Sequence, residues 1–306
     1  MKDIHDILRE FKKRRDEVFA LATLVRVKGS SYRRAGARML ICQDGNTVGS
    51  LSGGCIEEEV AFRAHDVLMT SQPEIISFDT RRRFGCHGQI EIFIERCSET
   101  FLSELTGALG TRRSCLVSTN FEGKKLGSRV VKIENDYEQE HEETFGQKIH
   151  PPLRLLIFGE GLDSAPLFTF SELLGWEAIE VIDAGSFPLE PDKWTAAIVK
   201  SHNYGRDFAA LQKLLPLNLR YVGLIGPRQR RDQLLNELLD IGVSINAGFF
   251  APAGLDLGAE TPEEIALAII SEIQRVFGRG CGESLRERKV AIHAPKPSQA
   301  CALLAP

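Results

Sequence analysis

The chain has 306 residues, a formal net charge of −4, 43% hydrophobic residues and 26% charged residues. That length exceeds the usual single core, so two domains are expected, and the mild negative charge gives no general drive toward nucleic acid or a membrane surface. No apolar run reaches the ~18 residues of a membrane span, Met1–Asp6 lacks the apolar stretch of a secretory signal, and seven scattered cysteines with no Cys-x-x-Cys pair argue for reduced thiols in the cytoplasm and against structural zinc.

Residues 3–17 read as an amphipathic helix, with Ile4, Ile7, Leu8 and Phe11 on one face and Lys12–Arg15 as a solvated basic end. Phe19–Val27 is a strand by its β-branched content and alternation. The loop Lys28–Gly36 that follows is rich in glycine, hydroxyls and arginine. It reads either as a plain basic loop or as an anion cradle built on Arg33 and Arg34. Ala37–Cys42 is a second strand, and Asp44-Gly45-Asn46 is a hairpin signal leading to the strand Thr47–Leu51.

The centre of this half is Gly49-Ser50-Leu51-Ser52-Gly53-Gly54-Cys55-Ile56-Glu57. Gly53 and Gly54 free the backbone for a positive φ or a close approach by another molecule. Cys55 opens a helix expected from Ile56 to about Thr70, where the positive end of the helix dipole favours thiolate and the acids Glu57, Glu58 and Glu59 oppose it. A tight turn before a small buried thiol accounts for the same residues, and both readings stand. Glu74–Asp79 and the strictly alternating Gln89–Glu95 are strands, separated by a loop carrying Arg81–Arg83, Cys86 and His87. A helix over 98–109 and strands over Cys115–Thr119 and Arg129–Glu134 complete a mixed α/β domain, 1–134. Residues 135–152, acidic, poorly apolar and ending in His150-Pro151-Pro152, are expected to be a linker.

Leu153–Phe158 is a continuous apolar strand of the kind buried in a parallel sheet. It runs into Gly159-Glu160-Gly161-Leu162-Asp163-Ser164, a helix to about Leu174, and a second strand, Ala178–Asp183. Two glycines between a buried strand and a helix, with an acid at the end of the next strand, fit a phosphate loop and a ribose contact in a Rossmann-like domain. Ser164 in place of a third glycine loosens the fit, and a Rossmann domain that binds no phosphate stays open. Thr195–Lys200 is a buried strand ending in Ser201-His202-Asn203-Tyr204, at the edge where α/β sheets place their sites. A helix over about Asp207–Leu215 and the strand Tyr221–Ile225 follow, then Gly226-Pro227-Arg228. Phe250–Glu260 is a loop, and Thr261-Pro262-Glu263-Glu264 is a capping box that starts a helix running to about Val276. The Rossmann-like domain is thus 153–276, and 277–306 reads as a flexible tail.

Several of these motifs in this order resemble the xanthine dehydrogenase accessory protein family (XdhC/CoxI). Val25–Arg34, Gly36–Met39, Gly49–Glu57 and Gly85-Cys86-His87-Gly88 carry the resemblance in the first half. Gly159–Asp163, Pro166-Leu167, Ser201–Tyr204, Tyr221–Gly226 and Gly254–Ala266 carry it in the second. The family usually has a longer segment between Asp183 and Trp194 than this chain does.

The resemblance implies a soluble bacterial protein that looks after the molybdenum cofactor, as molybdopterin or its dinucleotide form, for a molybdenum hydroxylase apo-enzyme. Cys55 would then contact the molybdenum centre, with Gly53 and Gly54 beside it and Cys86 and His87 as second candidates, a soft thiolate being a reasonable partner for a sulfur-bound metal. Arg33, Arg34 and Arg38 would neutralise phosphate, Gly159 and Gly161 would hold it, and Asp183 would take a ribose. Cofactor-biosynthesis and sulfur-transfer proteins are implied as further partners, and a homodimer is expected from the prevalence of twofold assemblies. Two other functions fit the same residues. One is an oxidoreductase using NAD(P), with His202 as acid/base at the sheet edge. The other is an assembly scaffold that binds no cofactor.

Overall fold

The computed structural model describes residues 2–14, 16–54, 56–79, 88–131, 143–185, 190–289 and 292. The chain divides into two compact units, 1–151 and 152–306.

The first unit is built on a five-stranded antiparallel sheet. Its strands are β1 (Phe19–Gly29), β2 (Arg38–Cys42), β3 (Thr47–Gly49), β4 (Glu74–Asp79) and β5 (Gly88–Arg96), in the order β3-β2-β1-β5-β4. Helix α2 (Glu57–Thr70) covers one face, meeting Ala20, Ala22, Leu24, Met39 and Ile41 with Val60, Ala64 and Val67. The other face, which presents Phe19, Leu21, Leu40 and Cys42, is covered by α1 (Lys2–Lys13), α3 (Glu99–Gly110) and a small second sheet. Strand β1 is therefore buried on both sides over its first seven residues, which explains why they are apolar apart from Thr23.

The small sheet has the order β7-β6-β8, from β6 (Cys115–Asn120), β7 (Gly127–Val131) and β8 (Thr144–Ile149). Strand β8 corrects part of the expected linker. Residues 144–149 pair antiparallel with β6 from Cys115↔Ile149 to Asn120↔Thr144, and Ile149 enters the core. A long-range partner thus makes a strand of TFGQKI, which has no hydrophobic alternation of its own. Residues 132–142 lie outside the described residues.

The second unit is a doubly wound parallel sheet. Strands β9 (Arg154–Phe158), β10 (Glu177–Val181), β11 (Thr195–Val199), β12 (Val222–Leu224) and β13 (Phe249–Phe250) lie in the order β10-β9-β11-β12-β13, every neighbouring pair parallel. Helices α5 (Tyr204–Leu214) and α6 (Arg228–Asp240) build the core on one face, and α4 (Ala165–Leu174) and α7 (Pro262–Phe277) build it on the other. Helix α7 starts as expected: the Glu264 amide donates to Thr261 Oγ1 and the Thr261 amide donates back to the Glu264 carboxylate. The chain leaves β9 for β10 on one side and returns to β11 on the other. The carboxyl ends of β9 and β11 thus form the topological switch point, where open α/β sheets bind ligands.

Candidate functional site

The carboxyl end of β9 is Gly159. Its φ is +119, and a Cβ there would stand 2.5 Å from Ser201 Cα. Only glycine lets the ends of β9 and β11 lie so close. Gly161, at φ +138, turns the chain into a single 3₁₀ turn, Leu162–Ser164, ahead of α4. Ser164 is buried and its hydroxyl donates back to Gly159 O at 3.5 Å, so the residue that replaces a third glycine closes the loop on itself.

A cavity of about 480 Å³ opens beside this loop. Gly159 lines it with Asp183 from the end of β10, Ser201 and Asn203 from the loop after β11, and Gly205 and Arg206 from the first turn of α5. Asp183 Oδ1 accepts from the Gly185 amide at 2.7 Å, which fixes the turn that carries it. Asn203 caps α5, its side chain accepting from the Arg206 amide at 3.1 Å. Two sequence-predicted residues, Gly159 and Asp183, thus share one cavity.

Gly161 and His202 stand with two residues that the sequence reading did not single out as site residues, Asp163 and Lys200. The Lys200 ammonium, with no exposed side-chain surface, donates to Asp163 Oδ1 at 2.8 Å and to Glu160 O at 3.4 Å. His202 Nε2 lies 3.3 Å from Asp163 Oδ2. Burial pushes the Asp163 carboxyl up, but hydrogen bonds and charge attraction from Lys200 and His202 outweigh it and hold the group below its ordinary value. His202 adopts φ +52, a left-handed conformation that is uncommon outside glycine. The loop that imposes it is tied down by Asp207, which is fully buried. Its Oδ1 accepts from the Ser201 amide at 3.0 Å and the Ser201 hydroxyl at 2.5 Å, and its Oδ2 takes Arg230 of α6 at 2.5 Å. The lysine was legible only as the polar end of an apolar strand.

In the first unit, Gly53 and Gly54 belong to a loop organised by Glu57. Glu57 Oε1 accepts from the Leu51 amide at 3.1 Å and the Ser52 amide at 2.7 Å. Oε2 accepts from the Ser52 hydroxyl at 2.7 Å and the Ile56 amide at 3.1 Å. Burial raises this carboxyl, and the Ser52, Ile56 and Glu57 donors outweigh it, leaving the group below its ordinary value. A Cβ on Gly53 would stand 3.8 Å from the exposed Tyr32 ring, and Gly29 pairs with Gly88 across β1 and β5. The loops after β1 and β3 and the start of β5 therefore meet at one end of the sheet. Cys55, Cys86 and His87, and with them the expected metal contact, lie outside the described residues. Among the described residues no three His, Cys, Asp or Glu side chains are grouped to hold a metal ion.

The three arginines separate. Arg34 is exposed on its loop. Arg33 is half-buried and ion-paired with Asp3 of α1. Arg38 corrects the expectation of a phosphate contact. It is 2% exposed, bonded to Gln147 of β8 and Gly36 O, and burial, partly offset by Glu95, lowers its pKa to about 10. Strand β2 turns it onto the same side as Leu40 and Cys42, between the two sheets, where a phosphate in solvent does not reach it.

The fold and crevice define a two-unit α/β protein whose second unit is a Rossmann-type domain. The sequence matches the family model described as the XdhC and CoxI family over residues 13–79 and the XdhC Rossmann domain over residues 155–273, and the chain belongs to this family. A relative in Bacillus subtilis (strain 168), named as a probable subunit of xanthine dehydrogenase, is 31% identical, with 89% of this chain and 97% of the relative aligned. The molybdenum cofactor insertion chaperone PaoD of Escherichia coli (strain K12) is 24% identical, with 84% and 82% aligned. A crystal structure from Bacillus halodurans, described as a xanthine dehydrogenase, superposes with a TM-score of 0.78 at 25% identity, covering 95% of this chain and 98% of that one. Among the described residues, no helix is long and apolar enough to cross a membrane.

Proposed function

We propose that the chain is a maturation chaperone that binds the molybdenum cofactor in a nucleotide-bearing form and delivers it to a molybdenum hydroxylase apo-enzyme of the xanthine dehydrogenase type. The observation that carries this reading is the cavity of about 480 Å³ running from Gly159 to Asp183. It has the size of small-molecule sites, and Gly159 and Asp183, the candidates for a phosphate and a ribose contact, both line it at a switch point. Kinship with a cofactor insertion chaperone supports the choice of cargo.

In this reading the pyrophosphate lies on Gly159 and Gly161, and Asp183 takes the ribose. In the first unit Cys55, preceded by Gly53 and Gly54, is the candidate contact to molybdenum. Cys86 and His87 are alternates, and Arg34 and Arg33 neutralise charge. Arg38 is left out for the burial described above. The setting we propose is a cytoplasmic homodimer working with cofactor-biosynthesis and sulfur-transfer proteins.

The test is anaerobic titration of the purified chain with molybdenum cofactor, read by absorbance and by co-elution on a sizing column, with NADH in parallel. Stoichiometric retention that is lost in Cys55→Ala, with the fold intact by circular dichroism, is the expected result. Unchanged retention in that variant removes Cys55 from the site. Tight NADH binding without cofactor retention replaces the chaperone with an oxidoreductase, and binding of neither ligand leaves a scaffold.

A further inference from the structure

The switch-point crevice carries a charge arrangement that sets it apart from a plain phosphate loop. A glycine loop ordinarily offers backbone donors and space to an incoming phosphate. Here a carboxylate of the chain itself stands in that space. Asp163 Oδ1 lies 2.7 Å, and Lys200 Nζ 3.8 Å, from where a Cβ on Gly161 would be. Lys200 is fully buried and has Asp163 as its anionic partner at 2.8 Å. A buried ammonium left without an anion is strongly unfavourable, so a charged Lys200 calls for an anion whether or not a ligand is present. Asp163 is not locked in place, since its side chain is 32% exposed and its second oxygen faces His202 Nε2 at 3.3 Å. The loop that carries His202 is anchored at the neighbouring Ser201 by Asp207, itself paired with Arg230, so His202 stays beside Asp163 if Lys200 turns to another anion.

We infer that Asp163 is an internal competitor for the ligand's phosphate. It satisfies Lys200 in the empty protein, yields Lys200 to a pyrophosphate group when the ligand binds, and keeps the ligand's affinity low enough for transfer to a client. This inference rests on the reading that the glycine loop takes a pyrophosphate. It assigns Asp163 and Lys200 as affinity-setting residues of that site, with His202 as the resting partner of the displaced carboxylate.

The experiment uses the full chain with inorganic pyrophosphate, cytidine 5′-diphosphate and guanosine 5′-diphosphate as probes, measured by calorimetry and by tryptophan-detected melting. Asp163→Asn keeps an acceptor oxygen for Lys200 and removes the charge. It should bind the probes about tenfold more tightly than wild type, or better. It should melt lower than wild type without ligand and regain more on adding pyrophosphate. Lys200→Met should lose the pyrophosphate contribution. Wild-type binding with no gain, or a loss, in Asp163→Asn overturns the inference and leaves the glycine-loop reading intact. Failure of both wild type and Asp163→Asn to bind any probe overturns the glycine-loop reading and the inference with it. If Asp163→Asn does not fold alone, pyrophosphate must restore it during refolding, and Asp163→Ser must behave likewise; absence of rescue in both overturns the inference.

Discussion

Replacing Glu57 by glutamine tests how the Gly-Ser-Leu-Ser-Gly-Gly-Cys loop is held. The carboxylate takes two donors on each oxygen, at 2.7 and 3.1 Å on both. Glutamine keeps one oxygen but places an NH₂ donor where the other was, facing either two amides or a hydroxyl and an amide. Turned toward Leu51 and Ser52, the NH₂ faces two backbone amides; turned the other way, it faces the Ile56 amide while the Ser52 hydroxyl can rotate to accept from it, and in both cases bonds to a charged acceptor are lost. Such bonds are worth about 1.5–3 kcal/mol each and do not add within a network, so a net loss of about 2 kcal/mol from the first unit is expected. Trp176 and Trp194, the chain's two tryptophans, both lie in the second unit. Urea unfolding followed by tryptophan fluorescence therefore isolates the second unit, and far-UV circular dichroism adds the first. The expected result is an earlier transition in the dichroism with no change in the fluorescence. Alanine should lose somewhat more, about 3 kcal/mol. Because the Glu57 carboxyl is depressed in the folded state, its contribution is present above the ordinary carboxylate range and fades as pH falls through the lower folded value. The difference between wild type and Glu57→Gln should shrink in acid. A glutamine variant within 0.5 kcal/mol of wild type near neutral pH would refute the account.

Two further outcomes follow from the same geometry. Gly159→Ala combines a φ of +119 with a Cβ 2.5 Å from Ser201 Cα, both backbone constraints, and should cost the second unit about 3 kcal/mol or more; an unshifted tryptophan-detected midpoint contradicts the close approach of β9 and β11. His5 is held neutral by burial, with Arg9 nearby adding to the effect, and its pKa falls from 6.5 to about 4. The unfolded chain then binds the proton that the folded chain refuses, so the first unit should lose up to about 3 kcal/mol as pH drops from 6.5 toward 4, and His5→Asn should flatten that dependence in dichroism-detected unfolding.

The strands of both sheets that carry the loops were legible because their patterns are local. Leu155–Phe158 and Ala196–Val199 are unbroken apolar runs, as strands covered on both faces tend to be, and the hairpin signal at Asp44-Gly45-Asn46 fixes β2 against β3 by itself. Strand β8 was not legible, because TFGQKI gains its strand character only from pairing with β6. Arg38 misleads for a related reason. In the sequence it sits among arginines and glycines that look like an anion loop, and only strand register shows that its side chain lies on the inner face with Leu40 and Cys42. Lys200 and Asp163 are 37 residues apart, so their pairing depends on β11 lying beside β9 rather than on any motif. The places of Gly159, Gly161 and Asp183 at the ends of β9 and β10 were legible because a short strand–turn–helix–strand unit fixes them.

Each unit thus has a glycine-rich loop with an acid of the chain set against its donors, and the two acids differ in a way that decides their roles. Glu57 is held by four neutral donors that belong to its own loop and the start of its own helix. Releasing it would strand all four. Asp163 is held by two basic side chains from a different strand end, one of them buried and one 65% exposed. On the proposed reading, an incoming phosphate would offer Lys200 an equivalent anion, while His202 would retain the carboxylate. Glu57 is therefore a brace for the loop that carries Cys55, whereas Asp163 is, on the proposed reading, the exchangeable acid that would couple ligand binding to a change in the site's own contacts.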